Sequence, residues 1–465
     1  MRPDTANRSV VVGLGRTGVS CVRHLARRGL AVSVTDTRSA PPGLAELGAL
    51  AGEVELRLGG FDLSLLEGAS QVLLSPGVSA DEPIAREARA RGIDVLGDIE
   101  LFARAAGAPV VAITGTNGKS TVTSLVACMA SAAGWRVLAG GNLGEPALDL
   151  LEQPAPDLYV LELSSFQLET TRSLRLAAAA VLNVSADHLD RYASVGEYAR
   201  AKSRIFLHAA AAVVNADDAR VMAMLGPAPG TSTGTSTGSS TGSETPRRVL
   251  TFRISPGEAD FSLLTDGEAV HLARRGTRLL DTARMKISGR HNAANALAAL
   301  AVGEAAGLPM PAMLQALEEF PGLAHRTQWV ADVAGVRYVD DSKGTNVGAT
   351  LAAVAGLAGP LVLIAGGEGK GQDFGPLGAA VRGKVRHCVL IGKDAALLGA
   401  ALAGACSTQR VETLAAAVDA AHAAARPGDT VLLSPACASL DMFRDYRHRG
   451  AEFAALARAL AARYP

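Results

Sequence analysis

The stretch Pro109-Val110-Val111-Ala112-Ile113-Thr114-Gly115-Thr116-Asn117-Gly118-Lys119-Ser120-Thr121 decides the fold. Its apolar half reads as a buried strand, and residues 122–133 read as a helix. A glycine-rich turn between strand and helix aims backbone N–H groups at one point, where the helix dipole also favours negative charge. Lys119 adds a point charge for outer phosphates, and the hydroxyl of Ser120 can join a Mg²⁺ shell. Gly115, Thr116, Asn117, Gly118, Lys119, Ser120 and Thr121 therefore read as a cradle for the phosphates of ATP. The ordinary pattern G-x-x-x-x-G-K-[ST] is incomplete, because Ile113 stands where its first glycine should be. The competing reading is a tight turn with a solvated lysine. The register of strand, glycines, lysine and hydroxyls speaks against it.

Working outward, three α/β blocks emerge. The first has strands near 9–14, 31–36, 71–75 and 93–96 and a helix near 19–28. The second opens on the phosphate loop and continues through strands near 159–163, 178–183 and 212–215. The third has strands near 336–340, 361–365, 387–391 and 430–433, with alanine-rich helices between them. Alternating strands and helices imply parallel sheets with both faces covered. Boundaries fall near Gly97 and Pro321-Gly322. Residues 230–242, a Gly/Ser/Thr tract, cannot bury enough apolar area to offset their ordering entropy, and read as a disordered surface loop inside the second block.

A chain of 465 residues that is 48% hydrophobic can fill several cores. Forty-five Lys plus Arg balance 45 Asp plus Glu, which argues against a general nucleic-acid binder. No apolar run is long enough for a bilayer span, and residues 1–8 are polar, unlike a secretory leader. The five cysteines, Cys21, Cys128, Cys388, Cys406 and Cys437, are far apart and read as reduced, mostly packed thiols. A cytoplasmic protein is expected.

Gly13-Leu14-Gly15-Arg16-Thr17-Gly18 is a second glycine signature between strand and helix, and Asp36 ends the next strand. Taken alone it suggests a nicotinamide dehydrogenase, the acid serving a ribose hydroxyl. The motif itself certifies only a diphosphate beside a helix start, and a second nucleotide loop makes a simple dehydrogenase less apt.

Glu162 ends a strand, where ligands gather in parallel sheets, and its carboxylate could complete a Mg²⁺ shell with Ser120. His188 follows another strand and sits between Asp187 and Asp190, a polar, cation-friendly loop; a capping or core histidine is the plainer alternative. Lys202 lies in an expected helix over 195–207, and spacing alone gives only a solvated lysine.

Together these segments resemble the Mur ligase family of peptidoglycan synthesis over almost the whole chain. The further carriers are Gly140-Gly141-Asn142-Leu143-Gly144, Glu162-Leu163-Ser164-Ser165-Phe166-Gln167-Leu168-Glu169, Asp187-His188-Leu189-Asp190-Arg191 and Gly289-Arg290-His291-Asn292-Ala293-Ala294-Asn295-Ala296-Leu297. The others are His325-Arg326, Asp340-Asp341-Ser342-Lys343-Gly344-Thr345-Asn346, Gly366-Gly367-Glu368-Gly369-Lys370-Gly371 and Leu433-Ser434-Pro435-Ala436-Cys437-Ala438-Ser439-Leu440-Asp441. The family's phosphate loop also lacks the first glycine.

The resemblance implies an α/β fold of three domains. Residues 1–97 would be a Rossmann-like domain for a UDP-sugar, 98–322 a central P-loop ATPase-like parallel sheet, and 323–465 a C-terminal Rossmann-like domain for the incoming amino acid. It implies an ATP-dependent ligase, acting as a monomer, that joins D-glutamate to UDP-N-acetylmuramoyl-L-alanine through an acyl phosphate. Another amino-acid ligase of the family is the nearest alternative. The resemblance turns the first glycine signature from NAD to uridine diphosphate, with Gly15, Thr17, Asp36, Thr37, Arg38, Ser75, Gly77 and Asn142 around the sugar nucleotide. Asn292 and Asn295 match the adenine side, Arg326 a phosphate contact and Asp341 a ribose contact. Lys343, Thr345, Lys370, Ser439, Leu440 and Tyr446 match the amino-acid pocket, Tyr446 standing where relatives can carry Phe. Lys119, Glu162, His188 and Lys202 match the catalytic set. Two Mg²⁺ are implied, one with Ser120 and Glu162, the other between His188 and a Lys202 carbamylated by CO₂. That last step needs a neutral amine.

Overall fold

The computed structural model describes residues 8–225, 248–287 and 289–464. The tract expected to be disordered at 230–242 lies outside them. Three sheets organise the described residues. The first is five-stranded and wholly parallel, in the order Glu55–Leu58, Val32–Asp36, Arg8–Val12, Ala69–Leu74, Asp94–Leu96. The strand expected over 9–14 stops at Val12, because Gly13 turns the chain with φ +91° to start the helix Arg16–Arg27.

The second sheet has nine strands. Six run parallel, in the order Arg248–Phe252, Ala211–Asn215, Ala178–Val181, Val110–Thr114, Leu158–Glu162, Val137–Gly141. The expected all-parallel sheet needs correction at one edge. There Phe261–Asp266, Ala269–Arg274 and Thr277–Asp281 form an antiparallel meander. Its tight turns carry Asp266-Gly267 and Arg275-Gly276, with Gly267, Arg275 and Gly276 at positive φ.

Strand Val110–Thr114 is buried on both faces. Val111 and Ile113 pack with the helices Lys119–Ala132 and Arg290–Ala305, whereas Val110 and Ala112 face the opposite core. That opposite core also holds Val11, Leu14, Val19 and Phe102, so one apolar cluster joins the first block to the second. The cores of the third block hold no residue of the other two.

The third sheet runs Gln328–Val333, Val336–Asp340, Thr430–Leu433, Leu361–Gly366, Val385–Ile391, Ser407–Arg410. It is parallel except for its first strand, folded back by the Ala334-Gly335 turn. The loop after Val110–Thr114 and the helix start that follows it meet this third block at Asn346 and Arg326.

Candidate active site

The phosphate loop is built by backbone geometry. Gly115 (φ +151°) and Gly118 (φ +83°) bend the chain. A Cβ on Gly118 would lie 2.4 Å from Asn295 Oδ1, so only glycine fits there. The helix begins at Lys119 rather than at 122, which places Ser120 and Thr121 in its first turn. Asn183 holds the loop from the neighbouring strand end. Its side-chain oxygen accepts the Asn117 N–H at 2.8 Å, and its amide donates to the Asn117 carbonyl at 3.0 Å. Lys119 Nζ folds back onto the Gly115 and Thr116 carbonyls at 2.9 Å each.

Around this loop lies a polar cavity walled by Lys119, Ser120, Asn142, Glu162, His188, Lys202, Arg326, Lys343, Thr345 and Lys370, together with Asp187 and Asn346. Glu162 is buried at the end of its strand. Its Oε1 accepts from Asn142 Nδ2 at 2.6 Å, and its Oε2 is buried with no partner. An orphaned buried carboxylate oxygen is costly unless something cationic meets it. Ser120 Oγ accepts from Arg326 Nη2 at 2.7 Å. Among the described residues no three His, Cys, Asp or Glu side chains form a ready-made cation site. Glu162 Oε2 and the Ser120 hydroxyl nevertheless suit Mg²⁺, which takes oxygen ligands and fills its shell with waters and substrate phosphates.

Lys202 is not a solvated lysine. Only 1% of it is exposed, Nζ donates to the Gly115 carbonyl at 2.9 Å, and it sits 4.4 Å from the centre of the Tyr198 ring. Burial and then the charge of Lys119 push its pKa well below the ordinary lysine value, against the pull of Asp187 and Glu162. Burial likewise lowers Lys119. His188 has φ +54°, packs edge-on against Phe166 at 4.9 Å, and is lowered by burial. It thus offers a neutral imidazole.

The third block reaches this cavity through polar groups. Asn346 and Asn117 exchange side-chain hydrogen bonds of 3.2 and 3.3 Å, and Asn346 Nδ2 also donates to Asp187 Oδ2 at 3.2 Å. Lys343 lies over the Tyr446 ring at 4.1 Å, with its pKa lowered to about 8 by burial and the neighbouring Arg326 and Lys119. Lys370 holds a left-handed conformation at φ +52° in the wall. Tyr446 does not line the cavity but lies under Lys343, which does, and Ser439 and Leu440 do not line it; Ser439 is buried and Leu440 is 67% exposed.

A second cavity on the other side of the phosphate loop is lined by Asn292, Asn295, Arg326 and Asp341, with Thr121, Leu182 and Phe252. Asn295 donates to Asn292 Oδ1 at 3.2 Å. Asp341 accepts from Ser434 Oγ at 2.8 Å and the Thr327 N–H at 3.1 Å, and burial raises its pKa to about 7.

A third cavity gathers Gly15, Thr17, Asp36, Thr37, Arg38, Ser75, Gly77, Asn142 and Gln167. Asp36 is fully engaged: it accepts the Leu14 N–H at 2.7 Å and three N–H bonds from Arg38 at 2.6–2.9 Å. Burial opposes its ionisation, but the bonds from Arg38 and Leu14 outweigh it and lower the pKa to about 2. Asp36 thus shapes the turn and aims Arg38. Asn142 lines both this cavity and the one at Lys119.

Residues 7–97 match the Mur ligase MurD-like N-terminal domain, 113–303 the Mur ligase middle domain, and 325–437 the Mur ligase glutamate ligase domain. A UDP-N-acetylmuramoylalanine--D-glutamate ligase of Nitrosococcus oceani is 51% identical over 456 residues, 97% of each chain. One of Methylococcus capsulatus is 49% identical over 98% of this chain and 96% of its own. The chain belongs to the Mur ligase family. Its fold is shared with the Mur ligase MurC of Thermotoga maritima, at TM-score 0.60 and 18% identity over 97% of this chain and 99% of that one. MurF of Acinetobacter baumannii gives TM-score 0.59, likewise at 18% identity, over 97% and 93%.

Within this Mur ligase, sequence reasoning missed Tyr198 and the loop-holding role of Asn183. Tyr198 stands four residues before Lys202, one helical turn away, and that spacing was its only signal. Among the described residues no helix is long and apolar enough to cross a membrane.

Proposed function

We propose that the chain is an ATP-dependent ligase that joins D-glutamate to UDP-N-acetylmuramoyl-L-alanine in peptidoglycan synthesis, in the cytoplasm and as a monomer. The observation that carries the reading is the meeting at Asn142 of two cavities. One is the glycine-turn cavity suited to a sugar diphosphate; the other holds Lys119 and a carboxylate with a free oxygen. Identity of about half with curated ligases over nearly the whole chain supports it. Asp36, spent on Arg38 and Leu14, speaks against the dehydrogenase alternative.

In this reading residues 1–97 carry the UDP-sugar, 98–322 the ATP and 323–465 the amino acid. A carboxylate repels an incoming amine and is a poor electrophile. Its oxygen therefore first attacks the γ-phosphorus of ATP, the bond to the bridging oxygen of ADP breaks, and an acyl phosphate forms. Lys119 and Arg326 face the charge that spreads over the transferring group. Mg²⁺ would be held by Ser120 and Glu162, and a second by His188 and carbamylated Lys202; bound there, it would neutralise phosphate charge. The carbamate forms when the neutral Lys202 amine bonds to the carbon of CO₂ and loses a proton. Its burial and lowered pKa suit that step.

Glutamate brings two carboxylates, and Lys343, Thr345 and Lys370 offer two cations and a hydroxyl. Its amine attacks the acyl carbon, a proton is lost, and the C–O bond to phosphate breaks. Closure of the third block over the loop through Arg326 and Asn346 keeps water from the acyl phosphate. The test is phosphate release by purified protein given ATP, Mg²⁺, UDP-N-acetylmuramoyl-L-alanine and either D- or L-glutamate. Release with D-glutamate alone is expected. Equal release with L-glutamate overturns the substrate assignment.

A further inference from the structure

Arg191 lines neither the sugar-nucleotide cavity nor the catalytic one, yet it touches the walls of both. Its guanidinium donates to the carbonyls of Pro76 at 3.3 Å and Val78 at 3.2 Å, two residues on the rim of the cavity at the Gly13 turn. It donates to Glu169 Oε2 at 3.1 Å and lies 4.5 Å from the centre of the Phe166 ring. Phe166 in turn meets His188, and both wall the catalytic cavity. The other Glu169 oxygen accepts from the Tyr192 hydroxyl at 2.5 Å. The Tyr192 ring lies 5.3 Å from that of Tyr198, whose face carries Lys202. One side chain, 17% exposed, thus ties the first block's rim to the packing that sets His188 and Lys202.

Only arginine offers this combination. Its planar fork presents several donors in fixed directions while its face stacks on a ring; lysine is a single point charge. The contacts are also directional. Two carbonyls of one short turn fix that turn in both position and tilt, which the apolar cluster joining the blocks does not do.

We propose that Arg191 is a positioning residue that sets the rim of the UDP-sugar cavity against the catalytic cavity, so that the acceptor carboxylate reaches the phosphoryl group in line. The proposal rests on the ligase reading above. A misplacement of about 1 Å costs such a transfer on the order of a hundredfold.

The test compares R191M, which keeps an unbranched side chain of similar reach and removes every side-chain donor, with R191K and the wild type. Hydrogen exchange of residues 75–80 is measured on each protein alone, and steady-state kinetics are measured for each substrate. R191M is expected to speed exchange at 75–80, to raise KM for UDP-N-acetylmuramoyl-L-alanine about tenfold or more and to lower kcat. Affinity for ATP should stay within threefold. R191K should recover only part of the loss, and it carries the same test should R191M fail to fold. Unchanged exchange and KM in R191M, an equal loss of ATP affinity, or full recovery in R191K each overturns the proposal. A wild-type protein that releases no phosphate would instead sink the ligase reading, and the exchange comparison would still judge the positioning role of Arg191.

Discussion

The chain uses one local device twice, and the two copies differ in what surrounds them. At Gly13 and at Gly115 a strand ends, a glycine takes positive φ, and a helix starts over the gap. At the first turn a Cβ on Gly18 would lie 2.1 Å from the Gly13 carbonyl, so helix and strand pack as closely as backbones can. That turn has no lysine, and its acid, Asp36, is consumed by Leu14 and Arg38. At the second turn Lys119 lies on the loop, and the nearby acid, Glu162, keeps one oxygen unpartnered. In the proposed reading the glycines make room for phosphate in both places. The neighbours decide whether phosphate is merely held or is transferred.

The sharpest way to break this contrast is Lys119→Ala. It should lower kcat about a thousandfold or more while leaving affinity for the UDP-sugar within threefold, as measured by phosphate release and calorimetry. Retained turnover would erase the distinction between the turns. Next comes Lys202→Ala, expected to abolish turnover, with partial recovery when short-chain carboxylic acids replace the proposed carbamate. Full activity without them would make that lysine ordinary. Lys370→Ala should raise KM for glutamate about ten- to a hundredfold, since a hydrogen bond to a charged group is worth roughly 1.5–3 kcal/mol. On the first turn, Arg38→Ala should raise KM for the UDP-sugar about tenfold and leave ATP affinity unchanged. An equal effect on both nucleotides would show that the cavities are not separate.

The smallest effect concerns the joint between these regions. Asp98 begins the helix Asp98–Ala105, accepts from Gln167 Nε2 at 3.0 Å, and has a second oxygen that is buried without a partner. Burial raises its pKa from 3.8 to about 6. The folded state therefore binds more protons than the unfolded state between those values, and stability falls as pH rises through that window. Asp98→Asn removes the titration and keeps an acceptor for Gln167. The thermal unfolding temperature of the variant should gain on the wild type as pH goes from about 4 to 6, and a pH-independent difference would contradict this.

Much of the fold was legible because parallel strands buried on both faces leave apolar runs between glycine turns, as at 110–114, 361–365 and 430–433. The meander at 261–281 was not read, although Asp266-Gly267 is a hairpin signal. Its strands are short, half-exposed and broken by charges, so their period is faint. The site was legible where residues stand beside the loop in sequence. Lys202 was not, since its helix spacing is that of any surface lysine and only the family resemblance raised it. Tyr198 and Asn183 act by packing and by holding backbone, roles that residue type does not announce.

By itself, then, the sequence determined where the chain turns and where phosphate can sit, because glycines, β-branched runs and a lysine act over a few neighbouring residues. Only the tertiary structure decided which charges are free. Asp36 met Arg38 two residues away and lost its vacancy, whereas Glu162 met a single amide and kept one. Lys202 is buried with a lowered pKa rather than solvated, because the strand end at Thr114, 88 residues away, packs against it. Burial and partnership are properties of chain segments brought together, and they set the charge state on which the chemistry depends.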